Sequence, residues 1–148
     1  MKKGLFIFLI FCFSLTIISC SDEEEESTTT TDTTALVIAE VTVVTTVAGT
    51  GSTGSANGTG TSASFYTPLG VTTDGTNLYV AGLYYHLIRK IVISTGVVTT
   101  LAGTGSSGSA NGTGTSASFY KPAGITTDGT NLYVTEGAGG NHLIRKIE

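Results

Sequence analysis

The sequence predicts an all-β protein assembled from repeated four-stranded antiparallel sheets, and three observations carry that expectation. Residues 44–80 align without a gap on residues 98–134, at a period of 54, with 32 of 37 positions identical. Within each copy, apolar side chains recur at the period of two that belongs to strands. The short runs are separated by Asp-Gly and Ser-Thr-Gly stretches, which supply the turn chemistry of hairpins. No helical period follows residue 20.

The first 40 residues stand apart from that pattern. "MKKGLFIFLIFCFSLTIISC" (1–20) has a basic start at Lys2 and Lys3 and an apolar run of 14 residues from Leu5 to Ile18. A membrane-spanning helix needs about 20 apolar residues, so the pattern fits an export signal over 1–19. Its end, Ile17-Ile18-Ser19-Cys20, resembles a bacterial lipobox, which implies cleavage before Cys20 and lipid attachment to it. The expected location is the bacterial cell envelope, with Ser21 in keeping with outer-membrane sorting. Residues 20–40 then read as a tether: "SDEEEESTTTTDTTA" holds too little apolar surface to offset the entropy of ordering. Past residue 19 the chain has five Lys and Arg against eleven Asp and Glu, and seven of those acids precede Val41. The remainder is nearly neutral, which argues against a nucleic-acid partner. Cys12 falls in the signal and Cys20 carries the lipid, leaving no thiol for a disulfide, a metal or nucleophilic chemistry.

From residue 41 each element has a local reason. "VTVVTTVAG" (41–49) matches "GVVTTLAG" (96–103) and is expected to be a strand equivalent to the fourth of a repeat. A Gly/Ser/Thr-rich loop runs from Gly49 to Pro68. "GVTTD" (70–74) is a short strand, "DGTN" a turn, and "NLYVA" (77–81) the second strand. "HLIRKIVIS" (86–94) sets Leu87, Arg89, Ile91 and Ile93 on one face and His86, Ile88, Lys90 and Val92 on the other. "STG" leads into the fourth strand, "VVTTLAG". A four-stranded sheet that is apolar on both faces suits a stack between similar sheets, the arrangement of a propeller blade.

The two segments "FYTPLGVTTDGTNLYVAGLYYHLIRKI" and "FYKPAGITTDGTNLYVTEGAGGNHLIRKI" resemble NHL repeats. The aromatic residue, Pro-x-Gly, the Asp-Gly turn, "NLYV" and "HLIRKI" follow one another in the order of that family, and Asn141-His142-Leu143 spells its name. Tyr85 replaces the Asn in the first copy. The resemblance implies a β-propeller, most often six-bladed. Here the second copy stops after its third strand, so two blades are expected, the last incomplete. Two blades leave apolar faces uncovered. Either several copies assemble head to tail as a homo-oligomer, each lending its first strand, or the sequence is part of a longer repeat protein.

Little catalytic chemistry is legible. "GTGSTG" and "GTGSSG" satisfy G-x-G-x-x-G, but no helix follows to aim its N-terminus at a phosphate. Asp74 and Asp128 precede Gly in a turn, where a carboxylate caps its own backbone. His86 and His142 recur identically, which points to a repeated structural task, and two histidines alone do not make a zinc site. Some relatives in the resembled family are lyases or hydrolases with a metal in the channel, so a fragment of a six-bladed lyase or lactonase-like hydrolase with a channel metal is the rival expectation. The preferred expectation is a non-enzymatic module without cofactor or metal that binds a protein or glycan. Its candidate contacts are Asn57, Tyr66, Asn111, Tyr120 and Lys121, on the loops between repeats.

Overall fold

A computed structural model describes residues 42–137, 139 and 141–148. The signal segment, Cys20 and the tether lie outside the described residues. Two antiparallel sheets follow the repeat. The first comprises β1 (Gly58–Thr59), β2 (Pro68–Thr73), β3 (Asn77–Gly82), β4 (Leu87–Val92) and β5 (Val97–Ala102), in the order β1-β5-β4-β3-β2. The second comprises β6 (Pro122–Thr127), β7 (Leu132–Glu136) and β8 (Leu143–Ile147), in the order β6-β7-β8. Single 3-10 turns at Gly60–Ser62 and Gly114–Ser116 are the only helical elements among the described residues. The fold is therefore all-β, as the repeat predicts. The Asp74-Gly75 turn joins β2 to β3, and the Asp128-Gly129 turn joins β6 to β7.

The apolar alternation fills two layers. Ile91, Val80 and Val98 cluster with Ala63 on one side of the first sheet, with Phe65 and Ala48 packed against them. On the other side Ala81 and Ile88 meet Ala102, Ala117, Phe119 and Val134, with Ile125 and Ile147 alongside. The second cluster is the junction between blades. Fully burying side chains such as Phe119 and Ile88 contributes about 1.5–3 kcal/mol each. The inner strands approach closely: a Cβ on Gly70 would fall 3.0 Å from the Ile125 nitrogen and nearer still to the Ala123 carbonyl.

The N-terminal segment differs from the expectation. Residues 42–46 lie in no strand, and Val43 and Val44 are exposed. A strand is completed by a partner's backbone groups, and among the described residues no edge is offered to this one. Residues 47–54 nonetheless meet blade one as 101–108 meet blade two. The Gly49 N–H donates to the Gly60 oxygen at 3.1 Å, and the Gly103 N–H to the Gly114 oxygen at 3.2 Å. Thr53 bridges Phe65 just as Ser107 bridges Phe119.

Candidate functional site

Register places the variable residues on one edge of the sheets. Pro68 pairs with Gly82 and Gly82 with Leu87, so residues 66–67 and 83–86 emerge together. Pro122 pairs with Glu136 and Glu136 with Leu143, which brings 120–121 together with 137, 139, 141 and 142 at the matching edge of blade two.

On this edge Tyr66 meets two tyrosines of the β3–β4 turn. Its ring centroid lies 4.9 Å from that of Tyr84, tilted by 37°, and 5.3 Å from that of Tyr85, edge-on. All three rings are exposed. Single exposed tyrosines are ordinary, but two that both pack on a third form an amphipathic surface, with rigid apolar faces and hydroxyl tips.

Across the blade junction, Tyr120 and Lys121 meet His86. The imidazole stacks on the Tyr120 ring at 5.9 Å, and His86 Nδ1 accepts the Lys121 backbone N–H at 3.0 Å. Burial lowers the His86 pKa below its ordinary value, the charge on Lys121 lowers it further, and Glu136 opposes them. The hydrogen bond accepted at Nδ1, the burial and the Lys121 charge suit a neutral ring. The Lys121 Nζ lies over the Tyr120 ring at 5.4 Å. Both His86 and Lys121 hold left-handed backbone, with φ of 55° and 48°.

Asn57 and Asn111 lie elsewhere. The Arg89 guanidinium, only 2% exposed, donates to Asn57 Oδ1 (2.9 Å), the Ala56 oxygen (3.0 Å) and the Ser64 oxygen (3.1 Å). It also lies 5.2 Å from the Phe65 ring centre. Arg145 repeats this with Asn111 (2.8 Å), Ala110 and Ser118. The long polar loops are thus fixed to their own blades, and the side-chain oxygens of Asn57 and Asn111 are occupied internally. Arg89 is buried and Arg145 half-buried, each guanidinium lying against the loop of its own blade.

Asp74 Oδ1 accepts the N–H groups of Thr76 and Asn77 at 2.8 and 2.6 Å, and Oδ2 accepts from Asn77 Nδ2 and the Tyr79 hydroxyl. Those bonds, led by the Asn77 side chain, hold the carboxyl far below the usual carboxylate range. Asp128 does the same in blade two. The capping role expected from the Asp-Gly turns is what the geometry shows.

Glu136 was not singled out by the sequence. It is 1% exposed, ion-paired to Arg145 at 2.9 Å and bonded by Asn141 Nδ2 at 2.9 Å. Its counterpart in the first repeat is Gly82, so the repeat pattern offers no sign of it. A lone carboxylate two residues beyond the conserved-looking "NLYV" stretch is the one signal available.

No family model matches the chain. NHL repeat-containing protein 2 of Bos taurus is 38% identical over 100 residues, and its Homo sapiens counterpart 37%. The match covers 64% of this chain, and the chain spans 14% of the length of each relative. Among solved structures, a structural genomics protein of unknown function from Bacteroides thetaiotaomicron is 29% identical, with a TM-score of 0.60 over 64% of this chain and 24% of that one. An auxiliary nutrient binding protein from Bacteroides ovatus is 26% identical, with a TM-score of 0.56 over 66% of this chain and 26% of that one. Motif order, sheet topology and these likenesses agree: the chain's two repeats are NHL repeats, folded as blades of a β-propeller.

Proposed function

We propose that this chain is a binding module displayed on the bacterial cell envelope, anchored by lipid at Cys20, and that its ligand is a glycan held at the tyrosine edge. The exposed Tyr66–Tyr84–Tyr85 cluster carries the reading. Sugar rings present C–H faces that stack on such rings, while their hydroxyls reach the flanking polar loops. A protein ligand could use the same loops, but the cluster is small and its rings are not laid out as one flat hydrophobic patch. The likeness to an auxiliary nutrient binding protein supports the reading, as does the lipobox-like leader. The reading includes a homo-oligomer: among the described residues Leu69, Val71 and Ile144 leave apolar blade surface exposed, and a second copy of the chain would cover it. Several copies would then present several tyrosine edges, and avidity would raise the affinity of weak sites for a repeating polymer.

The test is a screen of the purified chain against soluble bacterial and plant polysaccharides, followed by titration calorimetry on any hit. Tyr84→Ala is expected to weaken binding about tenfold, the loss of one good aromatic contact, without altering the melting curve. Failure to retain any polysaccharide, with capture of a polypeptide instead, would replace the glycan reading.

A further inference from the structure

The open side of blade two has the shape of a missing strand. In blade one, β5 lies between β4 and β1, pairing Ile88 with Ala102, Arg89 with Thr100, Lys90 with Thr99 and Ile91 with Val98. In blade two, β8 pairs only with β7 among the described residues. Where a fourth strand would run there is a cleft of about 380 Å³, bordered by Arg145, Lys146 and Ile147 on one side and by Asn111–Gly114 on the other.

The same chain carries the segment that fits. Val43-Val44-Thr45-Thr46-Val47-Ala48 differs from β5, Val97-Val98-Thr99-Thr100-Leu101-Ala102, by one methylene at one position. Val98 is 1% exposed in its sheet, whereas Val44 is 92% exposed. The segment also leaves blade one as β5 leaves for blade two, through the matching Gly49 and Gly103 bonds. Repeating the observed blade-one-to-blade-two step therefore carries residues 43–48 into the cleft of a preceding molecule.

The facing surfaces match too. Ile88 is fully buried at the blade junction, and its equivalent Ile144 is 70% exposed. Ile125 packs at the junction, and its equivalent Val71 is exposed. His86 accepts from Lys121, and their equivalents, His142 and Thr67, make no such bond among the described residues. The described residues thus offer a donor segment at 43–48 and an acceptor edge at β8.

We infer that Val43–Ala48 of a second copy of this chain adds to β8 as the fourth strand of blade two, joining the molecules head to tail. The expected register sets Ile144 opposite Ala48, Arg145 opposite Thr46, Lys146 opposite Thr45 and Ile147 opposite Val44. Backbone hydrogen bonds supply affinity and the blade faces supply specificity. His142 Nδ1 accepts the Thr67 N–H of the incoming chain. Such a contact is heterologous, so it closes only as a ring. The inference rests on the homo-oligomer reading above and gives it a specific joint.

Sedimentation of the full chain at micromolar concentration tests it. The wild type is expected at a discrete multi-chain mass. Val44→Asp removes the donor strand and Ile144→Asp the acceptor face, and each alone should sediment as a single chain. Mixed in equal amounts, they retain one intact end apiece and should form a pair and nothing larger. Both positions are exposed in the single chain, and circular dichroism checks that each variant keeps its sheets. Hydrogen exchange on the wild type needs no variant: the amides of 43–48 should be protected in the assembly and exchange freely on dilution. A single-chain wild type overturns both the joint and the homo-oligomer. A multi-chain mass untouched by either substitution, or unprotected amides at 43–48, overturns the joint alone. Neither result bears on sugar binding, which is measured separately.

Discussion

His86 and His142 occupy the same place in successive repeats, yet among the described residues only His86 has a backbone N–H to accept. Replacing His86 with Ala removes the acceptor for Lys121 and the ring that stacks on Tyr120. Losing one partly buried hydrogen bond costs about 1 kcal/mol, readable as a lower urea midpoint, while His142→Ala should leave the isolated chain nearly unchanged. The proton balance gives a second signature. The His86 pKa is lowered from 6.5 in the fold, so the unfolded chain binds more protons between the two values. Its contribution is fully present above pH about 6.5 and declines as pH falls toward the folded value. The acid side of the stability profile should therefore steepen in the wild type relative to His86→Ala, measured as melting temperature between neutral and mildly acidic buffer. Asp74 and Asp128 act in the same direction further down the scale, since each carboxylate is held ionised by its turn.

At the scale of elements, the two third strands solve one problem in two ways. Arg89 lies in β4 against backbone carbonyls and Asn57, with no carboxylate beside it among the described residues; Arg145 in β8 keeps those contacts and adds Glu136. Glu136→Ala should thus leave a charge that its surroundings were built to pair, at a cost of about 3 kcal/mol, the low end for breaking a buried pair. Chemical denaturation against wild type measures it. Strands and turns were legible because alternation and Asp-Gly are local signals. The targets of Arg89 were not, since Asn57 and Ser64 lie 32 and 25 residues away in sequence. Alternation put Arg89 among apolar neighbours without revealing that it anchors a loop. The tyrosine edge was half legible: Tyr66 stood out in the repeat, but Tyr84 and Tyr85 joined it only through the register of β2 with β3. Residues 41–49 show the opposite limit. Their sequence matches a strand, yet strand structure depends on a neighbour's edge as well as on propensity.

For the whole molecule, the repeat period set the architecture and the junction sets its tightness. Gly70 sits where the inner strands of the two blades nearly touch, and Gly70→Ala must push β6 away. Overpacking of that kind costs about 1–3 kcal/mol, and it should loosen the blades before it unfolds either sheet. Proteolysis with Phe- and Tyr-directed enzymes would report this as earlier cleavage near Phe119. Backbone shape at the two ends has a kinetic consequence. Thr67 and His142 hold φ of 47° and 48°, close to the 48° and 55° of Lys121 and His86 at the finished junction. These hinge points are already bent as docking would require, so chains meeting there have no loop to refold first. Capture should appear in stopped flow as one phase proportional to concentration, at roughly 10⁵–10⁷ M⁻¹s⁻¹, with no slower step behind it.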